Sequence, residues 1–182
     1  MVMMIIALSL LGLGAALFYT FRVSSIPLTQ GIDSSEEADK LTRIHGAIAK
    51  GAMAFLKEEY RYMLYFMVAF AVIIGMLIDD KHTPDTYEGL YTAISFLLGC
   101  IVSMVSGYIG MKIATTGNAR TTVAARTSIG DAFKVALNSG AVMGFGLVGL
   151  AVLGLILVYL LLGALLPYEI DKHILMEVMA GF

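Results

Sequence analysis

Charged side chains are scarce in this sequence: Asp, Glu, Lys and Arg make up 14% of its 182 residues, and 59% of the residues are hydrophobic. Soluble domains carry about 25% charged and about 45–50% apolar residues. A soluble chain with so little charge would lack the polar surface needed to cover itself, whereas a chain embedded in lipid needs none along its spans. The composition therefore excludes an ordinary soluble domain.

The number of cysteines and the net charge exclude two further classes of protein. The only cysteine, Cys100, rules out an internal disulfide framework, and it lies in an apolar stretch where cysteine acts as a small hydrophobic residue. The formal net charge is −2, so no overall basic field exists to attract nucleic acid. We therefore expect neither a disulfide-stabilised domain nor a nucleic-acid-binding protein.

The long apolar stretches contain no set of catalytic residues. Their interiors lack Asp, Glu, Lys, Arg and His, which ion pathways through a membrane need, so a channel or transporter subunit is disfavoured. The P-loop pattern is absent. His82 and His173 are predicted on one outer side, where isolated histidines are usually solvated. We expect no catalytic, metal-binding or substrate-binding residue here.

Four stretches are apolar enough to cross a membrane, which takes about 20 residues for ~30 Å of hydrocarbon. They are approximately residues 2–21, 61–79, 90–111 and 138–163. Residues 174–182 look like the opening of a fifth span, after a break at Pro167 to His173. The predicted fold class is all-α integral membrane, with four transmembrane helices and the start of a fifth.

The basic residues predict how the chain crosses the membrane. Ten of the twelve lie in or beside the two longer connecting segments, 22–60 and 112–137, and the other two are Lys81 and Lys172. Basic residues mark the cytoplasmic side. We therefore expect both longer segments in the cytoplasm and the N-terminus outside.

Residues 22–60 contain the signals of a helix that begins at Ser34. Ser34 can cap this helix, with Glu37 three residues on as in a capping box. An apolar stripe follows at helical spacing; it consists of Leu41, Ile44, Ile48, Ala52, Phe55 and Leu56. Two interpretations stay open: the stripe packs on a partner or on headgroups, or the second span extends into the cytoplasm with its stripe on its own neighbours.

Residues 112–137 interleave cations with hydroxyls. The residues singled out in this predicted loop are Lys112, Asn118, Arg120 and Arg126. Such side chains can contact phosphate. Basic residues just inside a membrane are also expected for topology alone, and this second interpretation, a scaffold role, is favoured.

Small residues recur at helical spacing in the third and fourth spans. Gly99, Ser103 and Gly107 share one face of the third, and Gly140 and Gly144 form a G-x-x-x-G at the entry of the fourth. Such faces let helix backbones approach closely. The pattern predicts a compact bundle or a larger assembly.

Three segments carry a resemblance to a known family. They are residues 48–60 (IAKGAMAFLKEEY), 107–126 (GYIGMKIATTGNARTTVAAR) and 139–145 (SGAVMGF). In order and spacing they resemble the membrane-integral pyrophosphatases, the pyrophosphate-energised proton or sodium pumps. The ending EVMAGF is similar to the entry of that family's fifth helix, so the resemblance covers essentially the whole chain. It departs at Gly117, where family members usually have alanine.

The resemblance implies a larger homodimeric protein, with about sixteen membrane helices per subunit at ~20 residues each. Inner helices would hold pyrophosphate with Mg²⁺, in some members with K⁺ as activator, and hydrolysis would drive H⁺ or Na⁺ outward. The family's catalytic motifs come later and are absent here, so no catalytic residue is carried over. This chain would be outer-ring scaffold in a prokaryotic plasma membrane, with lipid and the remainder of the pump as partners, and inactive alone.

A second hypothesis is a small four-helix membrane scaffold without enzymatic activity. It would use its small-residue faces to bind partner helices. It requires residues 174–182 to be re-entrant or interfacial, because nine residues cannot cross a membrane.

Overall fold

The computed structural model describes residues 2–29, 31, 32, 34–78, 88–165 and 172–182, and these form five α-helices with their connections. The helices are α1 (Val2–Ser24), α2 (Ser35–Leu77), α3 (Glu88–Thr127), α4 (Ile129–Leu165) and α5 (Lys172–Met179). The first four are long and apolar enough to cross a membrane, which confirms the predicted all-α integral membrane fold. Lys81, His82 and Pro167 lie outside the described residues, as do the side chains of Lys172 and His173.

Two helices continue well beyond the predicted spans. α2 has 43 residues and α3 has 40, which correspond to about 65 and 60 Å at 1.5 Å per residue. Residues 112–137, predicted as a loop, are instead helical except for Ser128, which alone separates α3 from α4. This segment contains no proline to break the hydrogen-bond ladder, so the helices run on until the chain turns.

The extension of α2 packs only part of its apolar stripe. Leu56 is buried, whereas Ile44, Ile48 and Phe55 are 47%, 55% and 63% exposed. α2 is one continuous helix through the predicted second span and the segment before it, as the second interpretation expects. Only part of the apolar stripe packs on other helices of this chain. That a partner or lipid headgroups cover the exposed part stays a prediction.

The start of α2 agrees with the prediction in position but not in hydrogen bonding. Ser34 is the N-cap residue, yet its side chain makes no capping hydrogen bond. Glu37 pairs with Arg126 of α3, at 3.0 Å. The predicted capping box at Ser34 is therefore wrong, because the glutamate has an ionic partner across the bundle.

α3 and α4 form the centre of the bundle. α2 packs on α3, α1 packs on α4, and α5 lies against both central helices. Ring contacts join two of these pairs: Phe70 and Phe96 have centroids 5.3 Å apart, and Tyr19 and Phe145 stack at 6.4 Å. α1 and α3 touch only sparsely. A cleft therefore opens between them, with α4 behind it.

Two small clusters of buried apolar side chains lie at these contacts. One consists of Val23, Ile113 and Val142, from α1, α3 and α4. The other consists of Val158, Leu162 and Val178, from α4 and α5. Most other large apolar side chains are exposed. Helices that are apolar all round in this way are typical of membrane spans.

α3 and α4 approach each other closely at Gly117. A Cβ atom on Gly117 would lie 2.8 Å from the Cβ of Ser139, closer than Cβ atoms pack in proteins. The departure from the family's usual alanine at this position therefore has a structural consequence. In this chain the missing side chain leaves room for Ser139.

Replacing Gly117 by alanine should lower the free energy of unfolding by about 1–3 kcal/mol, because the added methyl group overpacks the α3–α4 contact. The matched control is Gly140→Ala on α4, which has open space around it and should be neutral or slightly stabilising. Thermal unfolding in detergent measures both. Adding Ser139→Gly to Gly117→Ala should recover part of the loss, and a loss unaffected by that change would contradict this explanation.

Candidate functional site

Polar side chains gather at one end of the bundle, where α1 ends, α2 begins, and α3 meets α4. This region, termed the polar end, is defined by Glu37, Arg120, Arg126, Ser128, Asp131 and Lys134. It brings together parts of both segments that were predicted to be cytoplasmic. Three separate contacts hold it.

Arg120 ties α3 to the end of α1. Its Nε donates to the carbonyl oxygen of Ile26 at 3.0 Å, and its Nη2 donates to that of Ser24 at 3.2 Å. Its Nη1 donates to Thr116 on its own helix, at 3.1 Å. The last carbonyls of a helix lack intrahelical partners and carry partial negative charge, so a bonded cation is stabilising there.

The surroundings of Arg120 are partly desolvated. This burial lowers the pKa of Arg120 from its ordinary value, although a guanidinium remains charged at neutral pH. All three nitrogens of its guanidinium donate to backbone carbonyls. Arg120 is therefore a structural cation rather than a free anion-binding group.

Arg126 reaches across to α2. Its Nη1 lies 3.0 Å from an oxygen of Glu37, and the two side chains are 49% and 56% exposed. Ion pairs so exposed contribute little to stability. Asn118 is exposed, and its backbone carbonyl accepts the hydroxyl of Thr122 at 3.0 Å. These two residues therefore contribute less to the frame than Arg120 does.

The third contact caps the N-terminus of α4. The Oγ of Ser128 accepts the backbone N–H of Asp131 at 3.0 Å and donates to its Oδ2 at 2.9 Å, while Lys134 Nζ lies 3.0 Å from its Oδ1. The hydrogen bonds from Lys134 and then Ser128 hold the pKa of Asp131 below its usual range. Sequence analysis missed this cap, although the Ser-x-x-Asp spacing is the readable signal.

Lys112 lies two turns of α3 nearer the membrane than Arg120. It is exposed, and its Nζ lies 5.8 Å from the ring centroid of Tyr108. It lines the cleft between α1 and α3. The four residues singled out by sequence are thus not brought together at one site: Arg120 and Arg126 join neighbouring helices, Asn118 faces out, and Lys112 faces the cleft.

Two of the predicted packing residues lie at close contacts. A Cβ on Gly99 would lie 3.2 Å from the carbonyl carbon of Phe182, which follows α5. A Cβ on Gly107 would lie 3.0 Å from the hydroxyl of Tyr60, which donates to the carbonyl of Met104. These glycines leave room for the backbone of Phe182 and for the side chain of Tyr60, rather than for a whole facing helix.

The other three predicted packing residues are exposed, and neither glycine among them lies at a close helix contact within the described residues. Ser103 is exposed. Gly140 and Gly144 have no atom of another described residue within 4 Å of a built Cβ, apart from their own helix and chain neighbours. Their role in helix packing stays a prediction about contacts outside the described residues.

Charged side chains of the polar end join helices to one another. Among the residues that the structure describes, no group of three or more His, Cys, Asp or Glu side chains could hold a metal ion. The polar end pairs most of its charges internally, so it can position helices beyond the membrane. Lys112 alone among the four singled-out residues presents its charge to a cavity.

The chain is similar to a family of membrane enzymes. Residues 10–182 match the family described as inorganic H⁺ pyrophosphatase. The chain is 35% identical over 156 residues to the K⁺-stimulated pyrophosphate-energized sodium pump of Thermotoga maritima, an alignment that covers 82% of this chain and 20% of that protein. It is 39% identical over 124 residues to the K⁺-insensitive pyrophosphate-energized proton pump of Methanosarcina mazei, covering 68% and 17%. The chain thus spans about a fifth of the length of these relatives.

Replacing Arg120 by lysine should lower the free energy of unfolding by about 1.5–3 kcal/mol, because hydrogen bonds from a charged donor are lost. A lysine ammonium cannot reproduce the fork that reaches the carbonyls of Ser24 and Ile26 at the end of α1. The matched control is Arg126→Lys on the same helix, which should cost less than about 1 kcal/mol because its ion pair is exposed. Denaturant unfolding in detergent compares the two, and equal losses would contradict the assignment of Arg120 as the tie to α1.

Replacing Lys134 by glutamine should raise the pKa of Asp131 toward its ordinary value, and Ser128→Ala should raise it less. Because the folded pKa lies below the unfolded one, the carboxylate stabilises the start of α4 above the ordinary aspartate pKa of about 3.9. That contribution is lost as the pH falls through the lowered folded value. Carboxyl ¹³C NMR titration measures these values, and an unchanged pKa in Lys134→Gln would refute the stated cause.

Proposed function

The chain belongs to the inorganic H⁺ pyrophosphatase family, and we propose that it forms the outer scaffold of an ion-translocating pyrophosphatase. The whole protein would couple hydrolysis of pyrophosphate to outward transport of H⁺ or Na⁺. The observation that carries this proposal is the family match over residues 10–182, in a chain about a fifth as long as its relatives. The chemistry then belongs to the remainder of the polypeptide.

The metal requirement supports this division of labour. Mg²⁺ is bound in proteins through carboxylate and phosphate oxygens, and the described residues offer no metal-capable group of side chains. They do not fit an Mg²⁺–pyrophosphate site. We assign Mg²⁺, pyrophosphate and any stimulating K⁺ to helices outside this chain.

The transported ion is left as H⁺ or Na⁺. The relatives include one named as a sodium pump, 35% identical, and one named as a proton pump, 39% identical. Because the chain is about equally identical to both relatives, these identities do not show which ion the whole protein would transport. The residues that select the ion would lie in the remainder of the protein.

The geometry of the polar end supports the proposed orientation. The Arg120 and Arg126 contacts bring residues 22–60 and 112–137 to one end of the bundle. Because basic residues favour the cytoplasmic side, this end would face the cytoplasm and the N-terminus would lie outside. The extended parts of α2 and α3 would then stand on the side where pyrophosphate is hydrolysed.

The exposed helix faces fit a larger assembly. Gly140 and Gly144 face open space on α4, and many large apolar side chains of α1 and α2 are exposed. We propose that inner helices of the same polypeptide, lipid, and a second subunit of a homodimer cover them. Small residues at such faces permit close helix contact.

The purified 182-residue chain should show no Mg²⁺-dependent release of phosphate from pyrophosphate. A full-length relative such as the T. maritima sodium pump, purified in the same detergent and lipid, is the positive control. Activity in the isolated chain would contradict the scaffold assignment. Reading the coding DNA past the codon for Phe182 gives a second test: an open frame with acidic motifs supports the proposal, and an immediate stop would favour a small scaffold protein.

A further inference from the structure

A cleft opens between α1 and α3, with α4 as its back wall. Because α1 and α3 touch sparsely, a volume of ≈450 Å³ is left free there. Binding sites for small molecules occupy about 300–1,000 Å³. This α1–α3 cleft is lined, among others, by Leu13, Leu17, Ser24, Lys112, Thr116 and Val142. The scaffold function proposed above does not use it.

The walls of the cleft change along its length. Leu13, Ala16 and Leu17 line the part that lies within the predicted first span. Ser24 and Thr116 line the part at the cytoplasmic end of the same span. The cleft is therefore apolar at the depth of the hydrocarbon and polar at the depth of the headgroups.

The polar mouth of the cleft is cationic. The ion pairs within the described structure are Arg61–Glu58, Arg126–Glu37 and Lys134–Asp131, so none of them neutralises Lys112. The guanidinium of Arg120 adds positive charge nearby, because it is bonded to the carbonyls of Ser24 and Thr116. An anionic group at the mouth would meet the ammonium of Lys112 directly, and Arg120 would contribute only to the surrounding positive charge.

We propose that the α1–α3 cleft binds an anionic phospholipid. An acyl chain lies along Leu13, Ala16 and Leu17, and the phosphate lies beside Lys112. The lysine provides a charge-assisted contact to phosphate, and the hydroxyls of Ser24 and Thr116 supply donors. Burial of the acyl chain against the apolar wall contributes the rest of the affinity. This proposal stands independently of pump activity.

The shape and charge of the cleft favour a lipid over other occupants. A protein helix seated there would have to place a carboxylate beside Lys112, which pairs with no carboxylate of the described residues. An anionic lipid carries its negative charge at the depth of the headgroups, where the cationic mouth of the cleft lies. Free phosphate would occupy the mouth alone and leave the apolar wall unfilled.

The first experiment measures lipid retention by the intact polypeptide with native mass spectrometry. The purified protein is titrated with dioleoyl phosphatidylglycerol or dioleoyl phosphatidylcholine. Lys112→Gln should weaken phosphatidylglycerol binding about fivefold, the factor contributed by one lysine at an anionic surface. It should weaken phosphatidylcholine binding less, because the choline cation offsets the charge of the phosphate in that lipid. The matched control is Lys134→Gln, whose lysine is paired with Asp131 outside the cleft and whose loss should leave both lipids unaffected.

A second experiment identifies the occupant in the membrane. A photo-crosslinking amino acid replaces Leu17, which is 60% exposed and lines the cleft. Crosslinks to phosphatidylglycerol support the proposal, and crosslinks to another helix would overturn it because protein would then fill the cleft. Three outcomes of the first experiment would also overturn the proposal. The two lysine substitutions could have equal effects, the two lipids could be retained equally, or inorganic phosphate could displace phosphatidylglycerol.

Discussion

The α3–α4 contact at Gly117 leaves no room for a Cβ beside Ser139. Close approach of this kind matters in a membrane, because lipid tails are as apolar as the helices and association depends on van der Waals packing. α2 rests on α3, α1 rests on α4, and α5 rests on both. A change in the α3–α4 distance would therefore displace every other described helix.

Beyond the hydrocarbon, polar contacts hold the frame, and they differ in strength for physical reasons. Arg120 is partly desolvated and bonds three carbonyls, so its loss leaves several acceptors without a partner. The Arg126–Glu37 pair is half exposed and competes with water. The cap formed by Ser128 and Asp131 acts locally on the first turn of α4. The tie between α1 and α3 is thus the strongest of the three.

This division agrees with the outer-scaffold role proposed for the chain. The interiors of the predicted spans carry no charged residue, and the charged residues of the polar end mainly hold one helix to the next. Lys112 is the exception, since it pairs with no carboxylate of the described chain and lines a cleft with an apolar wall. A scaffold in contact with lipid has a use for such a site, because a bound lipid would fill the gap between α1 and α3.

The sequence by itself determined the helix class, the four apolar helices and the N-cap position of α2 at Ser34. These follow from local composition and periodicity, which act on neighbouring residues. Only the tertiary structure decided the distant partners of Arg120, which are the carbonyls of Ile26 and Ser24, 94 and 96 residues away. It also decided that Glu37 pairs with Arg126, and that Gly117 rather than Gly140 or Gly144 lies at the tight contact between α3 and α4. The sequence shows that a glycine or an arginine can make a contact, but it does not show with which partner. The partner depends on which helix faces the residue, and the packing of the whole bundle determines that.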